Sequence, residues 1–254
     1  MLHPRKLIIA AIVTTSAYSY FKEVHCHDFK RNLYNFIVGD FGGKITICVQ
    51  SVDGALFFLR SESQVFQVQL NNFLIPGALA YLPSKDSIII SNSNLELECY
   101  NYSSLQAATD NKVEHLKDES KSVVPDWICN LGEQANHIVV HLNRYTRQYD
   151  IVIACDQTIF IANDNGMLRY QRRLEYTPSC LLTYHLPKSG ADIYEDDNRN
   201  RGQVMTDARE NNTIDTPCFM TLMGSYNNFI MVYRDVRLVW TAKTSTAPIY
   251  IERT

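Results

Sequence analysis

Several short motifs in this sequence contain residue types that could hold a metal ion. Asp40-Phe41-Gly42 spells the magnesium-binding triplet of protein kinases. Asp53, Asp164 and Asn165 carry hard oxygen ligands of the kind that Ca²⁺ prefers. The kinase interpretation lacks an H-R-D loop and a strand lysine with a helix glutamate partner. Turn chemistry accounts for the calcium candidates without any metal, so we predict that these residues lie in turns.

Histidine, cysteine and tryptophan offer further candidates for a site. His25-Cys26-His27 is suggestive of zinc, but no second Cys/His pair stands nearby, as structural zinc sites usually require. His137 and His141 lie in a strand-like run, where we predict an exposed or hydrogen-bonded pair. Trp127 and Trp240 are predicted to anchor packing. The sequence also lacks a phosphate loop, a nucleophile elbow and a dinucleotide fingerprint, so we assign no catalytic, cofactor-binding or metal-binding residue and expect no cofactor.

The composition is typical of a packed protein rich in β-strands. The chain has 254 residues, of which 46% are hydrophobic, and it contains 15 Tyr and 11 Phe, which favour strands. A net charge of −3 supplies no basic field for nucleic acid, so no nucleic-acid partner is expected. Seven cysteines without C-x-x-C spacing indicate reduced, buried thiols in a cytosolic protein.

The N-terminus allows two interpretations. Residues 5–17 resemble a short secretory signal, because Arg5-Lys6 precedes an apolar run at 7–13 and small residues at 16 and 17. The run is too short to span a bilayer and weak for a signal, so we predict a strand over 6–13. The sequons at Asn101 and Asn211 would matter only in a secreted chain.

A β-hairpin is the strongest local prediction. Residues 44–50 and 55–60 are two β-rich runs, and Ser51-Val52-Asp53-Gly54 separates them. An Asp-Gly pair tolerates the positive φ that a tight hairpin turn requires. Similar short strands recur in groups of four, with starts near residues 34, 78, 137 and 180, at spacings typical of propeller blades with insertions.

The recurrence predicts an all-β fold, a β-propeller built from four-stranded antiparallel blades. A sandwich of two antiparallel sheets is the alternative. The predicted units are the end of a preceding blade at 1–32, blades at 33–72, 77–131, 136–175 and 179–243, and the first strand of a next blade at 247–254. Charge-rich segments at 103–122 and 187–217 are predicted loops, with a short helix possible at 104–108.

Eight blocks of sequence together resemble one known family. They are F-G-G at 41–43, I-C-V-Q-S-V-D-G at 47–54, F-L-I-P-G-A-L-A-Y at 73–81, V-V-P-D-W-I-C-N-L-G-E-Q-A at 123–135, N-D-N-G-M-L-R-Y at 163–170, Y-T-P-S-C at 176–180, G-S-Y-N-N at 224–228 and Y-R-D-V-R-L-V-W at 233–240. The chain resembles the N-terminal propeller of the Bardet–Biedl syndrome protein nine family, also called parathyroid-hormone-responsive protein. Residues 187–217 are not part of that family's pattern.

The resemblance implies both a fold and a function. Members of this family are much longer and have a seven-bladed propeller, of which this chain resembles the middle and later blades, so we expect an incomplete part of it. A fragment, a truncated gene model and a divergent short form are all compatible with the sequence, and so are an open arc and a smaller closed ring.

The implied function is that of a non-enzymatic scaffold in the BBSome, a complex that carries membrane proteins into and out of cilia. The implied partners are tetratricopeptide-repeat, pleckstrin-like and propeller subunits, with membrane contact through the complex and no small-molecule substrate. The implied location is the cytoplasm, the ciliary base and the ciliary membrane. The alternative is a secreted or lumenal β-propeller that binds a ligand, based on the signal-like N-terminus and the sequons.

Overall fold

The computed structural model describes residues 6–14, 19–29, 31–60, 63–72, 74–114, 123–143, 147–185, 219–234 and 236–251, and within 6–28, 75–77 and 110–114 only the backbone. The predicted loop at 187–217, the sequon at Asn211 and residues 5 and 15–17 of the signal-like segment lie outside this part of the chain.

Four sheets of four antiparallel strands follow one another along the chain. The first contains β3 (Leu33–Phe41), β4 (Lys44–Ser51), β5 (Ala55–Arg60) and β6 (Ser63–Gln69). The second contains β7 (Leu74–Leu82), β8 (Ser87–Asn92), β9 (Glu96–Asn101) and β10 (Trp127–Asn130). The third contains β11 (Ala135–Leu142), β12 (Tyr149–Cys155), β13 (Thr158–Asn163) and β14 (Leu168–Arg173). The fourth contains β15 (Pro178–Tyr184), β16 (Met220–Ser225), β17 (Phe229–Arg234) and β18 (Arg237–Lys243).

A separate two-stranded sheet precedes them, formed by β1 (Lys6–Thr14) and β2 (Ser19–Asp28). The apolar run predicted as a strand at 6–13 therefore forms β1. The prediction of an all-β fold made of four-stranded antiparallel units is confirmed.

The predicted hairpin supplies the two middle strands of the first sheet, where Val49 pairs with Phe57. The turn between β4 and β5 is closed by a hydrogen bond from the Gly54 amide to the Ser51 carbonyl at 3.3 Å. Gly54 has a φ of 86°, and a Cβ there would lie 2.6 Å from the Asn72 carbonyl oxygen. Both the backbone conformation and the close approach therefore require glycine at this position.

The hydrophobic core consists of layers between successive sheets. Ile88 and Ile90 of β8 pack toward the first sheet, whereas Ile89 packs into the cluster shared with the third sheet. Val152 and Ile153 of β12 divide in the same way between two layers. Because successive residues of a strand point to opposite faces, an internal sheet buries both faces and its central strands are apolar throughout.

The charge-rich segment at 103–122 was predicted to be a loop with a short helix at 104–108, and it begins with a longer helix, α1 (Tyr102–Glu114). Residues 115–122 lie outside the described part. The Asn101 carboxamide oxygen caps the first turn of α1 by accepting a hydrogen bond from the Ser103 amide at 2.9 Å. Leu105 is fully buried, and the Thr109 hydroxyl donates to the Gln67 carbonyl of β6 at 3.3 Å. Packing against the first sheet thus stabilises a helix whose own amphipathic pattern is weak.

Two predicted boundaries also require correction. Strand β7 begins at Leu74 and not at residue 77, because 76–77 lie within the strand, where the pairing with β8 is irregular. Residues 247–251 form no strand, although a first strand was predicted at 247–254. No described strand pairs with them, so the ladder that defines a strand is missing. None of the helices in the described ranges is long and apolar enough to span a bilayer.

Candidate interaction surface

The kinase-like triplet forms the end of β3, at Asp40 and Phe41, and the start of the turn to β4, at Gly42, where it contacts the second sheet. The Gly42 amide donates to the Asp86 carboxylate at 2.9 Å, and the Tyr81 hydroxyl donates to the Asp40 carbonyl at 2.8 Å. Arg60 donates to the Phe41 carbonyl at 3.0 Å. The backbone groups of the triplet are therefore engaged in contacts within the first sheet and between the first two sheets.

The residues considered as calcium ligands form hydrogen bonds with neighbouring side chains instead. Partial burial opposes ionisation of Asp53, but hydrogen bonds from Ser51 at 2.6 Å and Arg31 at 2.5 Å lower the pKa of its carboxyl below the usual value. The Asp164 carbonyl accepts from the Trp127 indole at 3.2 Å. Lys85 donates to the Asn165 carboxamide. Within the described ranges, no group of three or more His, Cys, Asp or Glu residues could hold a metal ion.

His137 and His141, the predicted histidine pair, lie on β11, where the third sheet meets the fourth. Nδ1 of His141 lies 3.0 Å from the Thr183 hydroxyl, and the rings of His141 and His185 are 4.3 Å apart. His185 in turn donates to the Leu142 carbonyl at 2.8 Å. Burial lowers the pKa of His137, so this side chain is neutral at physiological pH. His25 and His27 lie in β2, where only the backbone is described.

The two tryptophans differ in environment. Trp127 packs into the core between the second and third sheets, against Gly166 of the third. The prediction for Trp240 is wrong for this structure, because its side chain is 53% exposed. Trp240 pairs with Val232, whereas the adjacent Met231 packs toward the third sheet. Trp240 consequently lies on the face of the fourth sheet that points away from the third.

The five cysteines whose side chains the structure describes, at positions 48, 99, 129, 155 and 180, are buried and free. Burial raises the pKa of each thiol, and raises that of Cys99 to about 12. Since the thiolate is the reactive form, these side chains act as small apolar residues and not as nucleophiles.

The Asn101 sequon is engaged within the fold. The carboxamide nitrogen of Asn101 donates to the Lys85 carbonyl at 2.8 Å, while its oxygen caps α1. This nitrogen is the atom that an N-linked glycan would modify, so its hydrogen bond disfavours glycosylation in the folded chain.

The outer face of the first sheet is buried over β5, around Phe57, but its apolar side chains along β3 and at the start of β4 are exposed, and we call this exposed part the β3 face. Tyr34, Phe36 and Val38 alternate along β3 and are each more than half exposed. Ile45 of β4, opposite Asp40, is 78% exposed. Apolar groups of this size are seldom left uncovered together, which marks the β3 face as a candidate interaction surface. The only sequence signal for it is that both halves of the alternation in β3 are apolar.

Comparison with known proteins identifies the family. A family model described as PTHB1 N-terminal matches residues 1–254. The chain belongs to the PTHB1 family. Relatives named Protein PTHB1 from Xenopus laevis and Homo sapiens are 32% and 30% identical to this PTHB1-family chain, over 99% of its length. The chain spans only 28% and 27% of the length of these two relatives.

Solved structures similar to this PTHB1-family chain are β-propellers. BBS1N, crystallised in complex with ARL6DN and soaked with mercury, matches with a TM-score of 0.60 and 9% identity, over 94% of this chain and 66% of that chain. Sqt1 from Chaetomium thermophilum, bound to the N-terminus of the ribosomal protein L10, matches with a TM-score of 0.54 and 12% identity, over 97% and 59%. The predicted propeller architecture is thus confirmed, and the sandwich alternative is not supported.

Proposed function

We propose that this PTHB1-family chain is a non-enzymatic interaction region of a BBSome subunit that acts in the transport of membrane proteins to and from cilia. Its partners in this proposal are the tetratricopeptide-repeat, pleckstrin-like and propeller subunits, and it reaches the ciliary membrane through the complex. The observation that carries the proposal is the family match over residues 1–254. A propeller fold alone hosts many functions and would not suffice.

The β3 face supports a role in contacts between protein surfaces. In a stack of sheets, an apolar face is normally covered by the next sheet, as the layers between the four sheets of this chain show. We propose that the β3 face and the face that carries Trp240 pack against further blades of a larger, seven-bladed propeller. The alignment of the chain to 66% of a propeller of known structure supports this.

Affinity purification from ciliated cells tests the proposed function. The tagged chain should co-purify with BBSome subunits. Phe36→Asp should reduce their recovery about tenfold, because a charge on the β3 face opposes its packing against the further blades and so weakens the propeller that the partners bind. Val124→Asp is the matched control, since Val124 is exposed but lies outside the sheets.

Recovery of the chain as a monomer without any BBSome subunit would contradict the proposal. Mass spectrometry of the same sample separates the secreted alternative from it. An intact Met1 and an unmodified Asn101 are expected, whereas a cleaved N-terminus with a glycan at Asn101 would favour the secreted or lumenal propeller.

A further inference from the structure

The outer strands of the four sheets differ sharply in charge. Strands β6 and β10, at the outer edges of the first two sheets, contain no charged residue. Strands β14 and β18 contain only basic charges, at Arg169, Arg172, Arg173, Arg237 and Lys243. The outer edges of the third and fourth sheets are therefore locally basic, although the chain as a whole has a net charge of −3.

Strand β14 is also a more open edge than β6, the outer strand of the first sheet. All six of its residues are exposed, including Tyr170 at 50%, whereas Phe66 and Val68 of β6 are buried. Helix α1 lies against β6 and covers part of that edge. In the described part of the chain, no element pairs with the outer side of β14. Its outward backbone amides and carbonyls can therefore pair with an added strand.

Of the three arginines in β14, only Arg169 forms an ion pair within the described residues, although Asp156 and Glu175 line the same pocket as Arg173. Arg169 forms an ion pair with the buried carboxylate of Asp150. Arg172 donates to the Val236 carbonyl at 2.8 Å, and Arg173 donates to the Gln157 carboxamide at 2.9 Å. Both of these acceptors are neutral, and each guanidinium has five N–H donors, so donors remain for a ligand. The hydrogen bonds also hold the two guanidinium groups in place along the edge.

We propose that the outer edge of β14 binds an extended acidic segment of a partner protein, which adds to the third sheet as a further strand. The backbone of the segment would pair with β14, and its carboxylates would bind Arg172 and Arg173, because the planar guanidinium matches a carboxylate. The same charges oppose pairing with a second copy of β14, so they select an acidic strand over self-association. This proposal goes beyond the scaffold role and does not depend on it.

An anionic lipid surface is the competing ligand for a basic edge. A lipid headgroup can neutralise arginine but cannot form a ladder of hydrogen bonds with a strand. The exposed strand edge beside fixed guanidinium groups therefore favours a protein segment.

Fluorescence anisotropy with synthetic peptides tests the proposal on the whole chain. Arg172 and Arg173 are successive residues of β14 and lie on opposite faces of the sheet. The probe is therefore a labelled peptide with two adjacent Glu residues flanked by Val, about eight residues long, the length of an ordinary strand. It should bind, and the affinity should fall as salt is added. The same peptide N-methylated at alternate residues should bind about tenfold more weakly, because it cannot complete the ladder. A Lys-Val peptide should not bind.

Variants of the edge assign the site. Arg172→Glu with Arg173→Glu should reduce affinity for the acidic peptide by about tenfold or more, because repulsion replaces two charge-assisted bonds. Lys44→Glu makes the same kind of change at an exposed position in the first sheet and should have no effect. Arg173→Gln, which removes only the charge, covers the case in which the double variant does not fold.

Several results would overturn the proposal. One is that the methylated peptide binds as tightly as the unmethylated one. Another is that both Arg173→Gln and the double variant bind the acidic peptide with unchanged affinity. The third is that the acidic peptide does not bind at all. Binding to vesicles of phosphatidylserine and phosphatidylcholine without any binding of the peptide would assign the edge to membranes instead.

Discussion

Arg60 links the first two sheets, and its replacement gives the sharpest test of how they are held together. Its guanidinium donates to the Thr46 hydroxyl at 2.9 Å, the Phe41 carbonyl at 3.0 Å and the Tyr102 hydroxyl at 3.0 Å. The first two acceptors belong to the first sheet, whereas Tyr102 begins the helix that follows the third strand of the second sheet. The guanidinium carbon also lies 5.9 Å from the centre of the Tyr102 ring.

The substitution Arg60→Met keeps most of the side-chain length and removes all three hydrogen bonds. Bonds to a charged group contribute about 1.5–3 kcal/mol each when buried, and this site is only partly buried. We therefore expect the free energy of unfolding to fall by about 2–4 kcal/mol for the three together. Tyr102→Phe removes one bond and keeps the ring contact, and should cost about 1 kcal/mol.

Urea unfolding of the two single variants and the double variant measures the coupling between the residues. The double variant should be more stable than the sum of the single effects predicts, by about 1 kcal/mol, because the bond between Arg60 and Tyr102 is lost only once. Hydrogen exchange at the Gly42 amide should accelerate in Arg60→Met, since the turn between β3 and β4 loses a support. Additive effects within about 0.3 kcal/mol, with Gly42 exchange unchanged, would refute this account.

Two further predictions concern the contacts between the other sheets. Gly166→Ala should lower the free energy of unfolding by about 2–4 kcal/mol in urea, because a Cβ there would lie 2.4 Å from the Trp127 ring and Gly166 has a φ of 77°. Gly43→Ala is the control: at a φ of 70° with open space around the Cβ it should cost only about 1 kcal/mol, and equal losses for the two variants would contradict the steric cause. Burial lowers the pKa of His137, so the unfolded chain binds a proton more readily, and stability should fall as the pH drops below 6.5, the pKa of an unperturbed histidine. His137→Gln should reduce this loss of stability between about pH 7.5 and 5.5 in urea unfolding. An unchanged dependence of stability on pH would show that other groups cause it.

The hairpin at residues 44–60 shows how far local sequence reaches. An Asp-Gly pair between two β-rich runs is enough to predict the turn, because few other residues adopt the backbone conformation that it needs. The helix α1 shows the limit. Its sequence is charged and weakly patterned, and its first turn is fixed by the cap at Asn101 and by the burial of Leu105 against a distant sheet. Contacts between residues far apart in the chain outweighed local preference there.

For the candidate surfaces, too, the sequence shows which residues are present and the tertiary structure shows which of them are exposed. The arginines of β14 are visible in the sequence, but their place on an open outer edge follows only from the order of the strands in the third sheet. Trp240 was predicted to be packed because tryptophan is usually buried, and the register of β17 with β18 turns it to the uncovered face.

By itself, the sequence determined the strands, their grouping in fours, the tight turn at Asp53-Gly54 and the family likeness, since all of these depend on residues close together in the chain. The tertiary structure alone decided which faces and edges are covered. An alternating pattern shows that a strand has two faces, but in a stack of sheets both are apolar, so the pattern cannot tell a covered face from an open one. For that reason the β3 face and the edge of β14, on which the proposed interactions depend, emerged only when the sheets were placed side by side.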